Sequence, residues 1–187
     1  MNDDGINPLR LLSALLVYPD EEWLRQMKDI ETALGNLPAG EVKQAACEFL
    51  NHVTACSPID LQEAYTAAFD MNPSTTMNLT YHIYGDTEKR AEVLAGLQQR
   101  YQDAGYERTS GELPDYLPLM LEFLSICPDE GAAGWVGECF QGFEDYLIRL
   151  RKTAPAYADL LHPLIRLAAS SPLSSSIKMD ACSQWRR

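Results

Sequence analysis

At 187 residues, 46% hydrophobic and 22% charged, the chain has the makeup of one globular domain large enough to bury its own core. Its net charge of −12 argues against nucleic acid and anionic membranes as partners, since neither supplies counter-charge, and suits a basic protein partner or simple solubility. There is no run of about 18 apolar residues to cross a bilayer and no signal-peptide charge pattern, and the five cysteines lack CxxC spacing. Free thiols in a cytosolic protein are the expectation.

Taken in order, the chain reads as a succession of helices. Asn7-Pro8 is a cap followed by proline at the first helical position, with Leu9, Leu12, Leu15 and Leu16 as the apolar face. Asp20-Glu21-Glu22 opens a second helix, carrying Trp23, Leu24, Met27, Ile30 and Leu34, that Gly35-Asn36 closes. Pro38 is expected to start the third, and Ser57-Pro58 repeats the cap-and-proline signature for the fourth. After a loop rich in asparagine and hydroxyls comes Leu79–Asp86, a short aromatic segment whose pattern fits a helical turn or two, or an extended stretch. Asp86-Thr87 caps a helix running to about Ala104, stopped by Gly105.

Residues 112–127, ELPDYLPLMLEFLSIC, are apolar around most of a helical circumference, as expected of a helix packed on several sides. At about 100° per residue, Glu112, Asp115, Leu119 and Glu122 fall on one remaining stripe. That stripe is either the solvated face of a core helix or a surface for a basic amphipathic segment. Two more helices follow, one through Trp135, Phe140, Phe143, Tyr146 and Leu150, the last from Pro155 to Leu167. No strand pair is visible. The sequence predicts an all-α single domain of about eight packed helices over residues 1–170, with a short flexible tail over 171–187.

Candidate chemistry is sparse. Cys47, His52 and Cys56 are close in sequence, but on one helix the two thiols point about 180° apart and cannot share a metal, so both read as buried small hydrophobes. Gly131, Gly134 and Gly137 do not form GxGxxG and follow no strand; close approach of another backbone explains them better than phosphate binding. Tyr81, His82 and Tyr84 fit a core segment with satisfied polar tips as well as the aromatic wall of a binding groove. A small helical enzyme using His82 as general base, or a module for homo-oligomerisation, are the readings from other classes.

Leu15–Glu21, Leu79–Asp86 continuing through Arg90, and above all Glu112–Ser125 resemble the nitrate reductase delta-subunit (NarJ) assembly chaperones, within the broader TorD-type chaperones of molybdoenzymes. The resemblance covers roughly residues 8–170. It implies a non-enzymatic cytoplasmic protein without a cofactor or metal of its own. Such a chaperone binds the N-terminal segment of an apo catalytic subunit, here the nitrate reductase alpha subunit or another molybdoenzyme client. It keeps that subunit competent for molybdenum cofactor insertion, restrains early membrane docking, and could meet cofactor-delivery proteins. Longer members carry an acidic C-terminal extension, whereas this chain ends in a short basic tail. Combined with the residue pattern, the resemblance places Tyr81, His82, Tyr84, Asp86, Asp115, Tyr116, Leu119 and Glu122 in the client-binding surface. There the rings and Leu119 would supply apolar contact, and Asp86, Asp115 and Glu122 would pair with client arginine or lysine.

Overall fold

The computed structural model describes residues 7–107, 109, 111–127 and 138–170, with side chains up to Arg166. Its helices are α1 (Pro8–Leu15), α2 (Glu21–Arg25), α3 (Met27–Asn36), α4 (Glu41–Ala55), α5 (Pro58–Tyr65) continued by a π turn (Thr66–Asp70), α6 (Leu79–Tyr84), α7 (Glu88–Asp103), α8 (Leu117–Ile126), α9 (Phe143–Thr153), α10 (Pro155–Leu161) and α11 (Pro163–Ser170). Among the described residues the β structure is confined to one isolated antiparallel bridge between Asn78 and Tyr116. The all-α class expected from the periodicity is therefore the fold. The glycines at 131, 134 and 137, Trp135, the side chain of Leu167 and the tail from 171 lie outside the described residues.

The local start signals act as read. Asn7, Asp20, Ser57 and Thr87 each accept a backbone N–H of the first turn through the side chain, satisfying a donor the helix cannot pair itself. Asn7 also donates to the Ser125 carbonyl at the end of α8 (3.0 Å), and Ser13 donates to the Pro118 carbonyl at its start (2.7 Å). Those two bonds fix α1 antiparallel to α8. Between them Leu12, Leu15, Leu16, Leu117, Met120 and Leu121 have no exposed surface. Each such side chain contributes roughly 1.5–3 kcal/mol relative to exposure, so this seam is the heart of the core. The same core continues between α4, the π turn and α10, where Tyr157 packs on Phe49 (4.9 Å) and Phe69 (5.0 Å).

Several boundaries differ from expectation: the helix expected from Pro155 to Leu167 is divided at His162 into α10 and α11, and α9 begins only at Phe143, after Gly142. The helix from Asp20 breaks at Gln26, whose φ −80° and ψ −2° end α2 and begin α3. Pro38 follows the end of α3 instead of opening α4, and Lys43 donates to the Gly35 and Leu37 carbonyls (2.9 and 2.7 Å) that the helix end leaves over. Most important, α8 begins at Leu117, with Pro118 in its first turn, and not at Glu112. Glu112 and Asp115 thus lie in a turn before the helix, so Glu112, Asp115, Leu119 and Glu122 form no common stripe.

Candidate functional site

Two helices grow out of the bridge. Leu79 donates to the Asp115 carbonyl (3.1 Å) and Leu117 to the Met77 carbonyl (2.9 Å), so the first turns of α6 and α8 share one short antiparallel pairing. Pro118 has no N–H to satisfy, which simplifies the start of α8. The first turn of α6 lacks a cap from its own Asn78 side chain. Asp115 supplies it from across the bridge: Oδ2 accepts from the Thr80 backbone (3.2 Å) and from the Thr80 hydroxyl (2.5 Å). Negative charge at that end is also favoured by the helix dipole.

Asp115 has no exposed surface. Its Oδ1 accepts from the Asn78 amide (3.1 Å) and its Oδ2 from the Arg90 guanidinium (3.3 Å), whose Nε also donates to the Thr80 hydroxyl (3.2 Å). Arg90 lies over the Tyr81 ring at 5.5 Å and reaches the exposed Asp86 at 3.7 Å. The carboxylate expected to meet a client cation is instead committed to Arg90, Thr80 and Asn78, and the role foreseen for Asp115 at the surface gives way to an internal one. The pairing partners are 25 to 37 positions away in sequence, beyond the reach of any periodicity argument.

His82 is clamped as well. Nε2 is 2.8 Å from the Thr76 carbonyl, which only a ring N–H can satisfy, and Nδ1 is 3.4 Å from the Arg149 guanidinium, which requires an acceptor. The neutral Nε2–H tautomer meets both demands. Burial is the main reason its pKa falls below the usual 6.5; the Thr76 hydrogen bond opposes that shift and Arg149 adds to it. With both nitrogens engaged, the ring buttresses α6 against Tyr146 (4.9 Å) and lacks the open nitrogen of a general base.

Of the remaining expected residues, Leu119, Glu122 and Tyr116 divide between two clefts, and Tyr81, Tyr84 and Asp86 line neither. Leu119 and Glu122 line a groove of about 310 Å³ between α7 and α8, with Tyr101, Tyr106, Phe123 and Ile126. Its aromatic floor is rigid: Phe123 packs against Tyr101 (4.6 Å) and Tyr106 (5.3 Å), and the two hydroxyls donate to the Pro114 and Ile126 carbonyls. Glu107 and Glu122 give it acidic edges, and Ile126 remains 44% exposed. Tyr116 belongs to a separate cleft of about 290 Å³, shared with Tyr18, Tyr65, Asp70 and Glu112. There the Tyr65 and Tyr116 hydroxyls are 3.0 Å apart. Tyr81 and Tyr84 are half-buried on α6, Tyr84 with Lys89 over its ring at 5.4 Å.

Residues missed in the sequence were Tyr18, Asp70, Tyr101, Tyr106 and Phe123. Tyr18 carried a signal, an aromatic ring in a proline-bounded turn after the first apolar face; Tyr106 falls in the polar loop after Gly105, and the others read as ordinary helix positions. The thiols also differ from expectation. Cys47 is exposed and Cys56 half-buried, with His52 at 3.9 Å from the latter, because residue 47 falls on the outer face of α4. Among the described cysteines Cys139 is the buried one, and burial pushes its thiol up to about 12. No group of three metal-ligating side chains occurs among the described residues, and no helix there is long and apolar enough to cross a membrane.

A family model described as nitrate reductase delta subunit matches residues 36–159. The chain is 32% identical over 167 residues to the probable nitrate reductase molybdenum cofactor assembly chaperone NarJ of Bacillus subtilis (strain 168), covering 89% of this chain and 91% of that protein. It is 33% identical over 163 residues to NarJ of Escherichia coli (strain K12), covering 86% and 69%. With the probable chaperone NarW of the same strain it shares 30% identity over 183 residues, covering 95% and 75%. On both measures, the span of the family model and the length shared with these relatives, the chain belongs to the nitrate reductase delta-subunit (NarJ) family.

Proposed function

We propose that the protein is a dedicated assembly chaperone. In the cytoplasm it binds the N-terminal segment of the apo catalytic subunit of a respiratory nitrate reductase, keeps that subunit competent for molybdenum cofactor insertion, and restrains membrane docking until loading is complete. The observation that carries this reading is the groove between α7 and α8: apolar along Leu119, Phe123 and Ile126, acidic at Glu107 and Glu122. It occurs in a chain whose similar relatives are named for molybdenum cofactor assembly. An amphipathic basic segment matches it, burying its apolar face on the aromatic floor while its cations face the two carboxylates. Tyr81, Tyr84, Tyr116 and Asp86 supply further contact at their exposed edges. Asp115, Arg90 and His82 hold α6 and α8 in place and act on the client only through them.

Calorimetric titration with the N-terminal peptide of the cognate catalytic subunit tests this. One-to-one binding that weakens with salt is expected, because rim charges contribute steering and register through screened interactions. Replacing Glu107 and Glu122 together by glutamine should lower the affinity about fivefold and flatten the salt slope. Absence of saturable binding at low salt, or an unchanged slope in the double variant, contradicts the assignment.

A further inference from the structure

We infer that the segment 171–187 of this chain docks in the α7–α8 groove and competes there with the client. The inference rests on the client reading of that groove and adds its regulation.

Three features of the groove suit such an occupant. Ile126 is exposed and Leu119 half-buried, so an apolar strip lies open beside the Tyr106 ring. The floor is already built, because the Tyr101 and Tyr106 hydroxyls are tied to the Pro114 and Ile126 carbonyls, and an entering ring has nothing to rearrange. Glu107 and Glu122 are exposed at the edges, and neither carboxylate bonds or pairs with another described residue.

Charge singles out the occupant. Of the longer stretches outside the described residues, 1–6 carries Asp3 and Asp4 and no cation, and 128–137 carries Asp129 and Glu130 and no cation. Residues 171–187 carry Lys178, Arg186 and Arg187 against the single acid Asp180, a cationic stretch in a chain of net charge −12. Acidic edges attract that segment and repel the other two. It also holds Trp185 directly before the two arginines. An indole is a flat apolar body, and a guanidinium makes forked bonds to carboxylates. Trp185-Arg186-Arg187 can therefore lay a ring on the floor while its cations meet Glu107 and Glu122. The groove, about 310 Å³, has room for one such ring.

Reach does not limit the contact. α11 carries the chain to Ser170, and the roughly fifteen residues from there to Trp185 span up to about 50 Å when extended. A compact chain of this length is roughly 40 Å across. Covalent attachment gives the segment an effective concentration on the order of millimolar, so even a weak contact fills the groove until a tighter client displaces it. A filled groove also hides its apolar strip from non-specific association.

The test compares wild type with two intact-chain variants, Trp185→Ala and the double Arg186→Gln, Arg187→Gln, by heteronuclear NMR at low salt. Each is then titrated with the N-terminal peptide of the cognate catalytic subunit. The amides of Leu119, Glu122, Phe123 and Ile126, far in sequence from the substitutions, should shift in both variants. Salt at about 0.5 M should move the wild-type amides the same way, because it screens the same contacts. Peptide affinity should rise about fivefold in both variants, of which Trp185→Ala leaves the charge unchanged. Groove amides that coincide in wild type and variants, shifts confined to other surfaces, or equal peptide affinities overturn the proposal. Shifts that grow with protein concentration overturn it too, since they place the segment of a second copy in the groove. Groove shifts in the variants with no peptide binding in any chain would uphold docking of the segment and refute the client reading. Peptide binding with coinciding groove amides would do the reverse.

Discussion

Asp115 combines complete burial with a formal charge, and its neutralisation by Arg90 is what makes that tolerable. Breaking one side of a buried pair strands the other charge, which typically costs about 3–5 kcal/mol. Asp115→Ala should therefore lower unfolding stability by roughly 3 kcal/mol or more in urea titration, while Glu122→Gln at the exposed groove edge stays within about 0.5 kcal/mol. Equal midpoints for the two variants would show that the network carries no stability. His82 gives a prediction in pH. Burial lowers its folded-state pKa beneath the ordinary 6.5, the Thr76 carbonyl and Asp115 favour the proton, and Arg149 and Arg90 oppose it. The unfolded chain then binds the proton first, so the contribution to stability is full above about pH 6.5 and is lost as pH falls towards the folded value. Between pH 7.5 and 5.5 the wild type should lose more stability than His82→Gln; parallel losses would contradict the assigned environment.

At the scale of elements, α6 is short, and its two ends are held by different means: Asp115 at the start, Gly85 at the finish. Gly85 has φ +58° and ψ −154°, a region open essentially to glycine alone. A Cβ there would touch nothing within 4 Å, so any loss in Gly85→Ala is backbone strain and not a clash. Thermal unfolding should register a destabilisation of about 1–3 kcal/mol; a variant as stable as wild type would mean that α6 can end otherwise. Local chemistry of this kind was legible in the sequence. Asn7, Asp20, Ser57 and Thr87 cap helices through side chains two or three residues from the N–H they accept, and Gly85 and Gly105 stop helices by their own conformational freedom. The start of α8 was legible too, from Pro118, but the apolar run from Leu113 masked it. The π turn was not, because its residues fit an α pattern and only packing against Thr75 distinguishes the wider winding. Nor was the bridge from Asn78 to Tyr116, whose strands are too short to show alternation.

The whole molecule places two acidic-edged recesses on a chain of net charge −12. The sequence pattern joins Leu119, Glu122 and Tyr116 into one surface, which the fold divides between the α7–α8 groove and the Tyr18 cleft. The division follows from Asp115: once its carboxylate turns inward to join α6 to α8, no continuous acidic face can run along the helix. On the proposed client reading, a basic segment would meet the groove and the Tyr18 cleft as separate features, which would favour one register over its neighbours. The most direct measurement is the molybdenum content of the cognate nitrate reductase catalytic subunit purified from cells lacking this protein, then supplied with wild type or with Glu122→Lys, an exposed charge reversal that leaves the core untouched. The account predicts a metal-poor subunit without the protein, restoration by the wild type, and failure of the reversal to restore it. Equal molybdenum in all three would contradict the chaperone assignment.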